Sequence, residues 1–347
     1  MERVQAEQRQ VREAPGPASV AQVMDEFEDL AGHGALRQFR PLPTGFMPLD
    51  DVLNGGMRPG ELMVIGGPYG VGKTILGLQI ARNVVSANRD ARALYVCYEH
   101  DRTHLLTRIL CLESAEYGNG DNALTLRKLS QLAFSPLGGS GLVTALRRDP
   151  RYDGILSSME SYADRLILAR ASGASTTLAE IERWIDDLQT PDTQQMLVVI
   201  DYLQKVPVGC EDLRPEDETT TQLTHALKEM ALAWGVQMVA IAAADRPSLR
   251  NARMRLSDLR GSSALQYETD IGIVLNNKYD IVSREHLIYS LGDAEAMRSW
   301  VVLTVEKNRA GRHAVDMEFA LDAPHFRIMP QGAFVRERLI DGKAVLE

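Results

Sequence analysis

Eight consecutive residues, Gly67-Pro68-Tyr69-Gly70-Val71-Gly72-Lys73-Thr74, have the types and spacing of a phosphate cradle. Glycines let backbone N–H groups turn inward on a polyanion, a lysine reaches the β and γ phosphates, and the next hydroxyl ligates a divalent cation. The apolar run Leu62-Met63-Val64-Ile65 precedes the loop, and the amphipathic run Ile75-Leu76-Gly77-Leu78-Gln79-Ile80 follows it. The loop therefore feeds a helix N-terminus, whose unpaired N–H groups and dipole favour an anion. These residues predict a P-loop that binds Mg-ATP, with Lys73 as the cation of catalysis and Thr74 as a magnesium ligand.

Such a loop needs two acidic companions. Magnesium must be steadied through a carboxylate at the end of an apolar strand, expected to lie beside the P-loop strand. Leu197-Val198-Val199-Ile200-Asp201 fits that description and assigns Asp201 to the metal. The attacking water must be oriented by a base at a strand end near the γ-phosphate. Glu99, closing Ala93-Leu94-Tyr95-Val96-Cys97-Tyr98, is the candidate. His100 and His104 lie four residues apart, but no third ligand is evident, so a solvated helix start is the simpler reading.

The elements that must position these groups alternate between strand and helix, the pattern of a parallel sheet covered by helices. Expected strands are Leu62–Gly66, Ala93–Tyr98, Met196–Asp201, Gln237–Ala242, Ile271–Leu275 and Val301–Lys307, with helices near Thr74–Ala87, His104–Ser114, Thr177–Leu188 and Thr220–Trp234. Residues 115–160 read as an insertion of helix and loop. Ser19 and Gln22 form a capping-box pair, and Val20, Val23, Met24, Phe27, Leu30 and Ala31 fall on one stripe ending at Gly32. That stripe packs either on its own domain or on a neighbouring subunit.

In the 347 residues, 45% hydrophobic and 24% charged content is that of a globular enzyme. No run approaches the ~20 apolar residues of a membrane span, and the first residues lack the apolar core of a signal peptide, so a cytoplasmic location is expected. Cys97, Cys111 and Cys210 form no CxxC pair and suit reduced thiols. A net charge of −9 argues against a protein coated in positive potential, while leaving room for a local basic channel.

Further motifs resemble the C-terminal ATPase domain of the DnaB-type replicative helicases, from about Val20 to Pro330. Pro43-Thr44-Gly45-Phe46, Leu49-Asp50, Gly55-Gly56 and Pro59-Gly60-Glu61-Leu62 look like the family's opening segment. Asp201-Tyr202-Leu203-Gln204 is similar to its Walker B strand and Leu256-Ser257-Asp258-Leu259-Arg260-Gly261-Ser262 to its second DNA-facing loop. The resemblance implies an α/β, RecA-like P-loop NTPase with a mainly parallel central sheet flanked by helices, preceded by an N-terminal linker helix. It implies a homohexamer with ATP at subunit interfaces, moving on single-stranded DNA. Glu99 matches the family's catalytic glutamate, and Lys307-Asn308-Arg309-Ala310-Gly311 matches the segment that sends a lysine and an arginine finger into the neighbour's site. Arg253, Arg255, Arg260, Gly261 and Ser262 would meet DNA, within a basic stretch that also holds Arg246 and Arg250. The implied organisation is an arm over 1–17, a linker helix and connector over 18–43, the ATPase domain over 44–332 and a tail over 333–347.

Three departures accompany the likeness. Only about 17 residues precede the linker helix, so no primase-binding N-terminal domain is expected. Ala242-Ala243-Ala244 stands where the family places Ser-Gln, whose glutamine senses the γ-phosphate. The first DNA-facing loop, Gly209 to Glu218, carries five carboxylates against one arginine and would repel a phosphate backbone. An ATP-dependent switch or assembly protein without unwinding activity is the alternative these departures support.

Overall fold

The computed structural model describes residues 16–32, 40–117, 120–134, 141–190, 193–208, 216–244, 251–282 and 295–340. In chain order the main elements begin with helix α1 (Val20–Gly32), strand β1 (Leu62–Gly66), α2 (Lys73–Ala87) and β2 (Ala91–Cys97). Helix α3 (Arg102–Glu116) leads into three short helices, α4 (Leu126–Ala133), α5 (Leu142–Arg148) and α6 (Asp153–Glu160). Strand β3 (Leu166–Arg170), α7 (Leu178–Leu188), β4 (Gln195–Asp201), α8 (Glu216–Trp234) and β5 (Gln237–Ile241) follow. The last elements are α9 (Ser262–Glu268), β6 (Ile271–Asn277), β7 (Trp300–Asn308), β8 (Val315–Asp322), β9 (Arg327–Ile328) and β10 (Ala333–Phe334).

All ten strands join one sheet in the order β10-β8-β7-β6-β1-β5-β4-β2-β3, with β9 on β8. Strands β6, β1, β5, β4, β2 and β3 run parallel, whereas β7, β8, β9 and β10 continue antiparallel. The parallel strands are covered on both faces, which is why they read as near-continuous apolar runs. On one face Met63, Ile65, Leu197, Val199, Val239 and Ile241 pack with Leu76, Ile80 and Val84 of α2. On the other, Val64, Leu94, Val198 and Met238 pack with Ile181 and Ile185 of α7 and Leu223 and Leu227 of α8.

The six expected strands and four main helices are all present, with ends within about four residues of expectation. Strands β3, β8, β9 and β10 add to them. The expected insertion is built: α4, α5 and α6 share a small core of Leu110, Leu124, Leu129, Leu146, Tyr152 and Ile155 with α3. The capping box at Ser19 also forms, with Ser19 N donating to Gln22 Oε1 at 2.8 Å and Gln22 N to Ser19 Oγ at 3.2 Å. The stripe of α1 is not buried within the described residues, Val20 being 78% exposed and Phe27 47%. Cys97 and Cys111 are buried free thiols, while Cys210 lies outside the described residues. No described helix is long and apolar enough to cross a membrane.

One expectation is corrected. β4 does not lie beside β1, because β5 is inserted between them. Asp201 still meets the P-loop, since α2 crosses the sheet face behind β4 and brings Thr74 to its carboxylate.

Candidate nucleotide site

A crevice at the carboxyl ends of parallel strands is where open α/β sheets bind ligands. Here β1 delivers Gly67, β2 delivers Glu99, β4 delivers Asp201 and β5 delivers Ala242 and Ala243 to one rim. They converge on a cleft of about 470 Å³ lined by Tyr69, Gly70, Gly72, Lys73, Thr74, Glu99, His100, Arg108, Asp201, Tyr202, Ala243, Arg260 and Phe326.

The loop has the backbone its glycines foretold. Gly67, Gly70 and Gly72 hold φ of 146°, 74° and 105°, a region costly for side-chain-bearing residues. A Cβ at Gly67 would come within 2.4 Å of the Leu275 carbonyl oxygen, so the cradle leaves no room for one. Pro68 and Val71 complete the turn, and Val71 is buried. Lys73 Nζ donates to the carbonyl oxygens of Gly67 and Pro68, both at 2.8 Å. Burial lowers its ammonium to about 8, against the pull of Asp201 and Glu99.

Asp201 is 1% exposed and accepts from the Tyr95 hydroxyl at 2.8 Å and from the Thr74 hydroxyl. Burial pushes its carboxyl above the ordinary value; those two bonds pull it back. A hydroxyl and a carboxylate side by side are hard oxygen donors, the set through which magnesium is held together with substrate phosphates. Among the described residues no cluster of three or more His, Cys, Asp or Glu side chains forms a metal cage, which fits that sparse donor set and leaves His100 and His104 out of metal binding.

Arg108, Tyr95 and Phe326 were not anticipated from sequence. Arg108 Nη2 donates to His100 Nε2 at 3.0 Å, its guanidinium lies 5.1 Å from the Phe326 ring centre, and the His100 and His104 rings stack at 4.5 Å. The signal was a ladder at 100, 104 and 108 on a helix capped by Asp101, which accepts from His104 N at 2.8 Å.

Lys307 and Arg309 are absent from this cleft. β7 is antiparallel to β6, so its end lies on the opposite rim. Val64 and Lys307 are both in register with Gly272, and Arg309 N bonds to the Asp270 carbonyl. Arg309 is therefore level with the start of β1, roughly 16 Å of strand from the P-loop at about 3.3 Å per residue. Lys307 Nζ caps the end of α9 at the Tyr267 carbonyl (2.9 Å), and Arg309, 51% exposed on its side chain, pairs with Asp270 at 3.4 Å.

The expected DNA-facing run is corrected. Arg253 is 3% exposed and ion-paired with Asp316 at 2.5 Å, which removes it from any phosphate backbone. Arg255 pairs with Glu306 at 3.1 Å. Arg260 lines the nucleotide cleft, where Gln204 joins its loop to β5 by accepting from Ala243 N at 3.0 Å. Gly261 holds φ 74° packed on Thr220, and Ser262 opens α9. Arg246, Arg250 and loop residues 209–215 lie outside the described residues.

The strand, cradle and acidic partner define a P-loop nucleotide-binding protein. The chain belongs to the DnaB-like helicase C terminal domain family, whose profile matches residues 41–135 and 140–327. It is 27% identical over 297 residues to the replicative DNA helicase DnaB of Mycoplasma pneumoniae, covering 83% of this chain and 56% of that one. It is 24% identical over 254 residues to that of Geobacillus stearothermophilus, covering 73% and 50%. The chain thus spans about half the length of these relatives. Among solved structures, an ATPase domain determined by itself aligns with TM-score 0.68 at 17% identity, covering 90% of this chain and 98% of that one. A DnaB-like replicative helicase described with its primase interactions aligns with TM-score 0.63 at 18% identity, covering 90% and 67%. These two likenesses establish the shared fold.

Proposed function

We propose that this chain is a subunit of an ATP-driven helicase or translocase, assembled as a hexamer with Mg-ATP at subunit interfaces and moving on single-stranded DNA. The carrying observation is the placement of Lys307 and Arg309 on the rim opposite Lys73 and Asp201. One chain cannot bring both ends of its sheet to one nucleotide; two chains packed rim to rim can.

In that arrangement Lys73 leaves the Gly67 and Pro68 carbonyls for the β and γ phosphates. Thr74 and Asp201 hold magnesium, which neutralises charge on the phosphate oxygens. Glu99 orients the attacking water and accepts its proton. Arg309 of a neighbour meets the charge that develops on the transferred group, a contribution of ~10³ or more in rate. Arg108 and Arg260 add positive charge from within the chain. With α1 unburied, its apolar stripe is left for an adjacent subunit.

Unwinding of a forked duplex with Mg-ATP tests the motor; a hexameric, ATP-hydrolysing preparation that separates no strands excludes a helicase. Arg309→Ala should bind ATP yet hydrolyse poorly, and mixing it with inactive Lys73→Ala should restore part of the activity. Mixed rings that remain silent contradict action across an interface.

The internal pairing of Arg253 and Arg255 favours a second reading, an ATP-dependent assembly switch without unwinding. Single-stranded DNA titrated at two salt concentrations separates them. A motor groove predicts tight binding with a steep salt slope, and the switch predicts neither.

A further inference from the structure

Tyr95 lies wholly buried in β2, on the sheet face that packs against α2. Its companions on that face, Ala93 and Cys97, are small and apolar, and a phenylalanine would fill the same space. A phenol hydroxyl at such depth is costly unless it finds a partner. It finds one in the site, donating to Asp201 Oδ2 at 2.8 Å. Register explains the contact. Tyr95 pairs with Val199 and Cys97 with Asp201, so Tyr95 and Asp201 are diagonal neighbours on one face, within reach of a long aromatic side chain.

We infer that Tyr95 is a positioning residue for the divalent cation, fixing the Asp201 carboxylate by occupying Oδ2 so that its remaining acceptor capacity faces Thr74 and the cleft. The inference rests on the Mg-ATP reading of this site. A phenol O–H donates to a carboxylate oxygen, so the bond favours the ionised form that a hard cation requires. It also removes the freedom of the carboxylate to turn, which Thr74 alone, bonding from the cleft side, would leave. Partners of this kind tune a metal site without touching the metal.

Tyr95→Phe keeps the ring and deletes the hydroxyl. Its manganese affinity with ADP present, measured by electron paramagnetic resonance, should fall about 10-fold or more. Affinity for a fluorescent ADP analogue in EDTA, and thermal stability, should stay near wild type. Unchanged manganese affinity overturns the role, as does an equal loss of nucleotide affinity with and without metal, which marks a packing defect. Asp201→Asn, measured alongside, separates the two layers of the argument. Metal affinity intact in Asp201→Asn overturns the site assignment and Tyr95 with it, whereas affinity lost there but kept in Tyr95→Phe overturns Tyr95 alone.

Discussion

Burial brings the Lys73 ammonium down to about 8, within reach of ordinary buffers. Only the cation can meet a phosphate. In the free protein that form prevails below the lowered value and is lost as pH rises through it, so nucleotide affinity should weaken above about pH 8. Titrating a fluorescent nucleotide between about pH 7 and about pH 9.5 checks this, with Lys73→Met as the control that should show no such limb. A flat wild-type profile would contradict it. The P-loop was legible because its backbone demands glycine at set offsets, and those survive in any reading of the chain. Arg108 and Tyr95 were not, because each acts through a contact set by register: one through a helical ladder of histidines, the other across a β2–β4 diagonal. Arg253 misled for the converse reason. Its charge advertised a basic loop, but the carboxylate that absorbs it, Asp316, comes from β8, a strand absent from the sequence reading.

At the scale of elements, a buried ion pair fastens α3 to the P-loop helix. Arg82 of α2 meets Glu113 Oε1 at 2.5 Å and Oε2 at 2.8 Å, Glu116 at 2.5 Å, and Tyr162 bonds to the same Glu113. Removing one member of a buried pair leaves an uncompensated charge, so Glu113→Ala should cost about 3 kcal/mol, measurable by urea unfolding. A loss under about 1 kcal/mol would mean that Glu116 suffices alone. Strands β1 and β4 could be read from sequence because both of their faces are covered. β3 is half exposed at the sheet edge, and its short run carries little periodic signal. β8 does alternate buried Val315, Met317 and Phe319 with less buried partners, the mark of a one-sided strand, and this pattern was passed over in favour of continuous runs. The helices of residues 115–160 defied placement because their core is assembled from scattered leucines whose partners lie on three other short helices.

For the whole molecule, family membership accounts for the sheet order and for nucleotide binding, while the motor rests on how chains meet. The cleft and the Lys307–Arg309 tip occupy opposite edges of a rigid ten-stranded sheet. Docking therefore has a direction, cleft to tip, and such head-to-tail contacts close into rings or run on as filaments. Particle images with a non-hydrolysable ATP analogue should show closed rings; open filaments would favour the assembly switch. The separated rims also fix how turnover scales with the amount of protein. A lone subunit holds the substrate without the means to cleave it, so diluting the sample below its assembly threshold should lower the rate per chain. A plot of velocity against protein concentration should start with an order above one and become linear only when contacts saturate. A strictly linear plot from the most dilute sample, in a range where sedimentation shows monomers, would mean that each chain hydrolyses ATP unaided.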